Sequence, residues 1–281
     1  MTTALNSRPL SRSSICNKTI WFGSRSNLAR LDRIKQSALD VGPSNIQPNS
    51  VFRDLGVYLD SELTMKQHIA KTSAAYFYHI RRLRQVCRRV GQEVTLQLVM
   101  TFITSTLDYC NSLLAGLPRS TLEPLQRVQN AAARLVFDLG RFDHVTPSLI
   151  QLHWLPVIYR VKFKLCCIIH AIHHGRSQTY LTEVVQVVDA SRSCPGLRSS
   201  STSQMDYALP WLRTKLGERA FSHAGPATWN ALPDHIRIVA DPVSFRRVLK
   251  THYFRIAFYF YKENPHVSII DRIAIRRKCS T

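Results

Sequence analysis

The sequence predicts a mainly α-helical protein: a helical bundle followed by a further helical region, with a few short β-strands confined to the N-terminal end. Three observations carry that class. From about position 64, apolar residues recur at alternating spacings of four and three, the period of a helix. The links between these periodic stretches are short, which makes consecutive helices antiparallel neighbours. Before position 62 the apolar runs are only three to five residues long and are broken by Gly, Pro and Asn, as strands are.

Taken in order, residues 1–14 hold Ser and Arg without an apolar period and are expected to be disordered. Ile20-Trp21-Phe22, closed by Gly23, reads as a short strand, and residues 38–41 as a second. Gly42-Pro43-Ser44-Asn45 is turn chemistry. Residues 51–59 read as a strand with a bend at Gly56. Met65, Ile69, Thr72, Tyr76, Ile80 and Leu83 then fall on one helical face, and Gly91 is expected to end that helix. Leu96, Met100, Ile103, Leu107, Cys110 and Leu114 predict a second amphipathic helix, stopped by Gly116-Leu117-Pro118. Ser120 and Glu123 have the spacing of a capping box, and Leu125, Val128, Ala132 and Leu135 form the buried stripe of a third helix.

Thr146-Pro147 reads as an N-cap followed by Pro at the first helical position, opening a short helix to His153-Trp154. Pro156 restarts the chain into a helix over 157–174, stopped by Gly175, and 179–188 continue as helix. The Ser-rich stretch 189–206 is expected to be a linker. The chain resumes over 209–221. Asp241-Pro242 caps a last helix through about Tyr259, with Phe245, Leu249 and Phe254 inward. The implied segments are 1–14, 15–62, 63–140, 141–188, 189–206, 207–260 and a basic tail, 261–281.

Charge narrows the function. Lys and Arg number 38 against 18 Asp and Glu, a net +20, so the chain attracts polyanions, nucleic acid first and an anionic membrane surface second. No stretch reaches the ~20 apolar residues of a membrane span, and the N-terminus lacks a secretory apolar region. The expectation is an intracellular protein, nuclear or cytoplasmic, without a membrane partner. Seven cysteines without CxxC spacing argue for a reducing compartment. The phosphate loop, the dinucleotide fingerprint and the Gly-x-Ser-x-Gly elbow are all missing, which excludes the commonest nucleotide-hydrolysing and hydrolase classes.

Arg81, Arg82, Arg84, Arg88 and Arg89 crowd the end of the first long helix, with Lys66 and Lys71 earlier on it. Guanidinium forks match phosphate oxygens, and Tyr76, Phe77 or Tyr78 could stack on a base. The plain alternative is a solvated face. Cys166, His170 and His174 share a helical face, but one straight helix cannot surround a tetrahedral ion, so no metal site is expected.

One stretch resembles a known family. Leu107-Asp108-Tyr109-Cys110-Asn111-Ser112-Leu113-Leu114-Ala115-Gly116-Leu117-Pro118, followed by Leu125-Gln126-Arg127-Val128-Gln129-Asn130-Ala131-Ala132-Ala133-Arg134-Leu135, resembles the region downstream of the polymerase core in reverse transcriptases of LINE-type (non-LTR, jockey-like) retrotransposons. Asn17-Lys18-Thr19-Ile20-Trp21-Phe22-Gly23 and Asp54-Leu55-Gly56-Val57-Tyr58-Leu59-Asp60 are similar to the segments that follow the catalytic aspartates there. Leu152-His153-Trp154-Leu155-Pro156, Arg219-Ala220-Phe221 and Trp229-Asn230-Ala231-Leu232-Pro233 are similar to later blocks of the same family.

The resemblance implies that 15–62 is the edge of a polymerase palm and 63–140 a thumb. It implies that Lys18 lies near an incoming triphosphate, that Leu55, Gly56 and Val57 lie near the primer grip, and that the partners are RNA and DNA as template and primer. The parent enzymes use Mg²⁺ held by an aromatic-x-Asp-Asp turn and an upstream Asp. This chain has no adjacent Asp pair, and Asp32, Asp40, Asp54 and Asp60 stand alone. It is therefore expected to bind nucleic acid through backbone contacts, to lack polymerase activity of its own, and to need no cofactor. Two alternatives stay open: a relic reading frame without a selected role, and an exapted helical protein-interaction module.

Overall fold

The computed structural model describes residues 19–33, 39–41, 44–140, 142–187, 206–212 and 214–263. Lys18, most of the Ser-rich stretch and the basic tail from 264 lie outside the described residues. The protein is mainly α-helical, with short antiparallel strands near the N-terminus. It divides into two units, Met1–His68 and Ile69–Thr281.

In the first unit, α1 (Arg25–Arg33) precedes β1 (Leu39–Val41), β2 (Ser44–Ile46), β3 (Val51–Asp54) and β4 (Val57–Asp60). The strands form two separate antiparallel ladders, β1 with β2 and β3 with β4. The bent strand expected over 51–59 is a hairpin instead. Asp54 pairs with Val57 across two residues, Leu55 and Gly56, whose φ values are 43° and 84°. Two left-handed central residues make the turn whose twist matches that of the strands. The expected strand at Ile20-Trp21-Phe22 is irregular chain: the Asn49 N–H donates to the Thr19 carbonyl, and the Gly23 N–H to that of Ser61. Ser44 and Asn45, read as turn, begin β2. Asp60 closes the hairpin and opens the next helix. One carboxylate oxygen accepts from the Thr64 N–H (2.8 Å) and hydroxyl (2.7 Å), the other from the Met65 N–H (2.9 Å).

The next helix, α2 (Lys66–Cys87), buries Ile69, Ser73, Tyr76, Ile80 and Leu83, with Ser73 in place of the expected Thr72. It ends at Cys87, not at Gly91, which instead takes the extended conformation that starts α3 (Gln92–Val99). Arg88 and Arg89 therefore lie on the turn between helices, not on α2. The single helix expected over 96–114 is interrupted twice. A π-helical turn (Met100–Thr104) leads into α4 (Ser105–Asp108), and Cys110, at φ 54°, breaks the chain before a 3₁₀ turn, Asn111–Leu114. The extra residue of a π-turn shifts the helical phase by one position. Upstream of it the core takes Thr95 and Val99 rather than Leu96 and Met100; downstream it keeps Ile103 and Leu107.

The helix α5 (Arg119–Val136) is the best-packed element, with Val128 and Ala133 wholly buried and Leu125, Ala132 and Leu135 inward as expected. The expected capping box is absent: Pro118 holds the N-cap, no side chain caps the end, and Glu123 pairs with Arg127. In α6 (Thr146–Gln151), Thr146 is the first helical residue, not the cap. The helix α7 (Val157–His173) starts after Pro156 and stops before Gly175 at φ 62°, as read.

The helix α8 (Thr179–Val184) is shorter than expected, and the chain beyond it bridges Val187 to Tyr207. Then follow α9 (Lys215–Glu218), α10 (Phe221–Asn230), α11 (Asp234–Arg237) and α12 (Pro242–Glu263). Over 209–221 the described chain forms only the short turn of α9 before α10 begins, and Pro210 precedes that turn in irregular chain.

The second core gathers where α7, α10, α11 and α12 meet. Trp229, Ile169, Ile236 and Leu249 are fully buried, joined by Cys166 and Phe245. Each large side chain of this kind contributes about 1.5–3 kcal/mol on leaving water. Tyr253 turns inward on α12, whereas Phe254 is only partly buried. A Cβ on Gly225 would meet Ile169 Cδ1 at 3.0 Å, so α10 lies close against α7. Asp241 caps α12 as read, accepting from the Ser244 N–H at 2.7 Å. Asp206, placed by sequence in the linker, pairs with the buried Arg237, which also binds Asp234.

Candidate nucleic-acid interface

Between Glu62 and Glu93 the chain has no acidic residue, and its seven Lys and Arg are those singled out by sequence. The structure exposes Lys66, Lys71, Arg81, Arg82, Arg84, Arg88 and Arg89. Lys66 belongs to the first unit; the other six belong to the second, along α2 and the turn that follows. The local cause is amphipathicity. Ile69, Tyr76, Ile80 and Leu83 fix the buried face, which leaves the cations outward. At about 100° per residue, Lys71, Tyr78 and Arg82 fall within about 40° of one another, opposite Ile69 and Ile80, while Arg81 and Arg84 line one flank.

Arg82 is held in place by its neighbour: its Nη1 donates to the Tyr78 hydroxyl at 2.9 Å, with the guanidinium carbon 5.7 Å from the ring centre. Of the three aromatics considered as base-stacking groups, Tyr76 is buried, Phe77 half-buried and Tyr78 exposed. Burial drives the Tyr76 pKa up, and the charge of Asp108 adds to it, so Tyr76 stays a neutral core phenol. Beneath this face Asp108 receives Arg160 Nη1 at 2.7 and 2.9 Å, and Arg160 Nε donates to the Leu155 carbonyl. That Arg160 is thereby withdrawn from any ligand.

The family-motif residues divide. Leu55 and Gly56 are exposed at the hairpin tip and Val57 is buried beneath it; Lys18 lies outside the described residues. Sequence reading missed a second basic surface. Arg246, Arg247, Lys250 and Arg255 are exposed on α12, and Lys162 and Lys164 on the neighbouring α7. The signal was present as i, i+4 spacing of cations around Phe245 and Leu249, but it was read only for its apolar half.

Of the Cys166, His170 and His174 face, His170 and Cys166 are engaged in packing and hydrogen bonds of the core. His170 stacks on Phe245 at 3.9 Å and 14°, and its Nε2 lies 2.8 Å from the Val239 carbonyl oxygen. The Cys166 thiol sits 3.4 Å from the Tyr253 hydroxyl, and burial pushes its pKa up to about 12. Among the described residues, no three His, Cys, Asp or Glu are placed to hold a metal ion. Among those residues, too, no helix is long and apolar enough to cross a membrane. No protein-family model matches the chain, and neither the curated proteins nor the solved structures contain a match to it.

Proposed function

We propose that this chain is a nucleic-acid-binding helical module of the LINE-type reverse-transcriptase lineage, equivalent to the thumb and the region beyond it. Its partners are RNA and DNA, held as a primer-template duplex by their phosphates. The observation that carries the reading is the acid-free run between Glu62 and Glu93, whose exposed cations lie along α2, a helix with a firmly buried opposite face, and on the turn that follows it. Such residues contact backbone and carry no base code. The ordered family-like blocks from Leu107 to Pro233 support the lineage. The lineage's Mg²⁺ would be held elsewhere than in this chain, which has no adjacent aspartates.

The test is the salt dependence of duplex binding. Each phosphate contact lowers the slope of log affinity against log salt by about 0.9 on duplex DNA. The triple variant Arg81→Ala, Arg82→Ala, Arg84→Ala is expected to reduce that slope by roughly two to three, evenly across sequences. All three side chains are exposed, so the variant should melt as the parent does. A variant that keeps both wild-type affinity and slope would show a merely solvated face.

A further inference from the structure

The π-helical turn has a consequence for the basic face. By shifting the helical phase it leaves Met100 and Phe102 outside the core, 43% and 46% exposed. π-Turns of this kind are rare and cluster at functional sites. Phe102 does not stand alone. Its ring lies nearly parallel to that of His79, at 19° with centres 6.1 Å apart, and His79 in turn meets Tyr78 edge-on at 5.8 Å. Tyr78 is itself 48% exposed and carries Arg82 on its hydroxyl. Three rings from two elements thus form a row that borders the arginines of α2.

We infer that this row, Tyr78, His79 and Phe102, is a stacking platform for unpaired bases of single-stranded nucleic acid, with Arg82 taking the adjoining phosphate. The occupant follows from charge and shape together. Bases inside a duplex are already stacked and cannot reach a ring on a convex helix face. An unpaired strand offers a π-face to the rings and a phosphate to each guanidinium. An acidic helix of another protein would satisfy the arginines but gains nothing from the flat, near-parallel arrangement of His79 and Phe102. This inference rests on the backbone-binding role proposed for α2 and adds a preference for single-stranded segments next to a duplex.

Two ligands and four variants separate the possibilities. The full chain is titrated into a fluorescent uridine oligomer and, separately, into a blunt hairpin duplex of equal charge. Phe102→Ala and Tyr78→Ala are each expected to weaken binding to the single strand about tenfold, the loss of one base–aromatic stack. For Phe102→Ala, duplex affinity and salt slope should stay at wild-type values, and Phe102→Trp should restore single-strand binding; Tyr78→Ala also frees Arg82 and is therefore read on the single strand alone. Thermal melting of each variant confirms that the fold is retained. The platform is overturned if Phe102→Ala and Tyr78→Ala leave single-strand binding unchanged while the Arg81, Arg82, Arg84 triple variant reduces both ligands; in that case the backbone reading survives. It is also overturned if Phe102→Ala abolishes a self-association seen by sedimentation without altering single-strand affinity. If instead the triple variant changes neither ligand, the backbone reading fails on its own, and the aromatic variants still decide the platform.

Discussion

At the scale of single residues, the second unit is held by polar groups that tolerate burial only while neutral or paired. His170 is 3% exposed, its ring against Phe245 and its Nε2 on the Val239 carbonyl. Around it stand His173, His174 and Arg176, with Tyr207 beyond His173. Burial pulls all three histidines below the ordinary 6.5; neighbouring charges add to it at His170 and His174, while the Val239 carbonyl opposes it at His170. A depressed folded-state value means the unfolded chain binds protons first as pH falls. The stabilising effect is therefore complete above about 6.5 and is lost as pH drops through the folded-state values. Urea midpoints should fall as pH drops from about 7.5 to about 5.5, across the ordinary histidine value, and His170→Gln should flatten that fall; equal pH dependence in both proteins would remove the cluster from the account. Trp229, wholly buried among His170, Tyr207 and Phe245, carries the packing side of the same core. Trp229→Ala should cost about 3–5 kcal/mol by urea unfolding, and a cost below about 1 kcal/mol would mean that the site is not a packed core.

At the scale of elements, the two units differ in how their backbones are protected. Among the described residues, the hairpin of β3 and β4 is a two-stranded ladder with no third strand paired to it, and such ladders are marginal in water. In contrast, α5 buries Leu122, Leu125, Val128, Gln129, Ala132, Ala133, Leu135 and Val136. Hydrogen exchange should therefore be fast in 51–60 and slow in 122–136, and comparable protection would contradict the separation. The same contrast explains what could be read in advance. The long helices α2, α5, α7 and α12 were legible because their apolar residues keep a 3.6 period over several turns. The hairpin was missed because Leu55-Gly56 lacks the usual Asn-Gly or Asp-Gly, so the glycine read as a bend. The π-turn was invisible because the pattern Leu96, Met100, Ile103, Leu107 fits an unbroken helix; only the packing of Thr95 and Val99 reveals the extra residue. Of the candidate site, exposure of the arginines was legible, whereas the meeting of His79 with Phe102 depends on that shift and was not.

At the scale of the whole molecule, a net charge of +20 is spread over more than one basic surface, α2 with its following turn and the cations of α12 and α7. Removing the α2 arginines should therefore weaken duplex binding without abolishing it. Binding and polymerisation are separable on chemical grounds. Two-metal phosphoryl transfer needs carboxylates that bridge both cations, whereas phosphate contact needs only positive charge and reach. The proposed binding role asks only for the second. The chain has no adjacent aspartates, and Asp60, three residues beyond the family-like Leu55-Gly56-Val57, accepts with both carboxylate oxygens from Thr64 and Met65. Asp108 is likewise committed to Arg160. Incubated with primer, template, deoxynucleotides and Mg²⁺, the purified chain should bind the duplex and yield no extended product on a denaturing gel. Extension that a single substitution in this chain abolishes would show that other carboxylates here assemble a metal site, and the separation of binding from chemistry would fall with it.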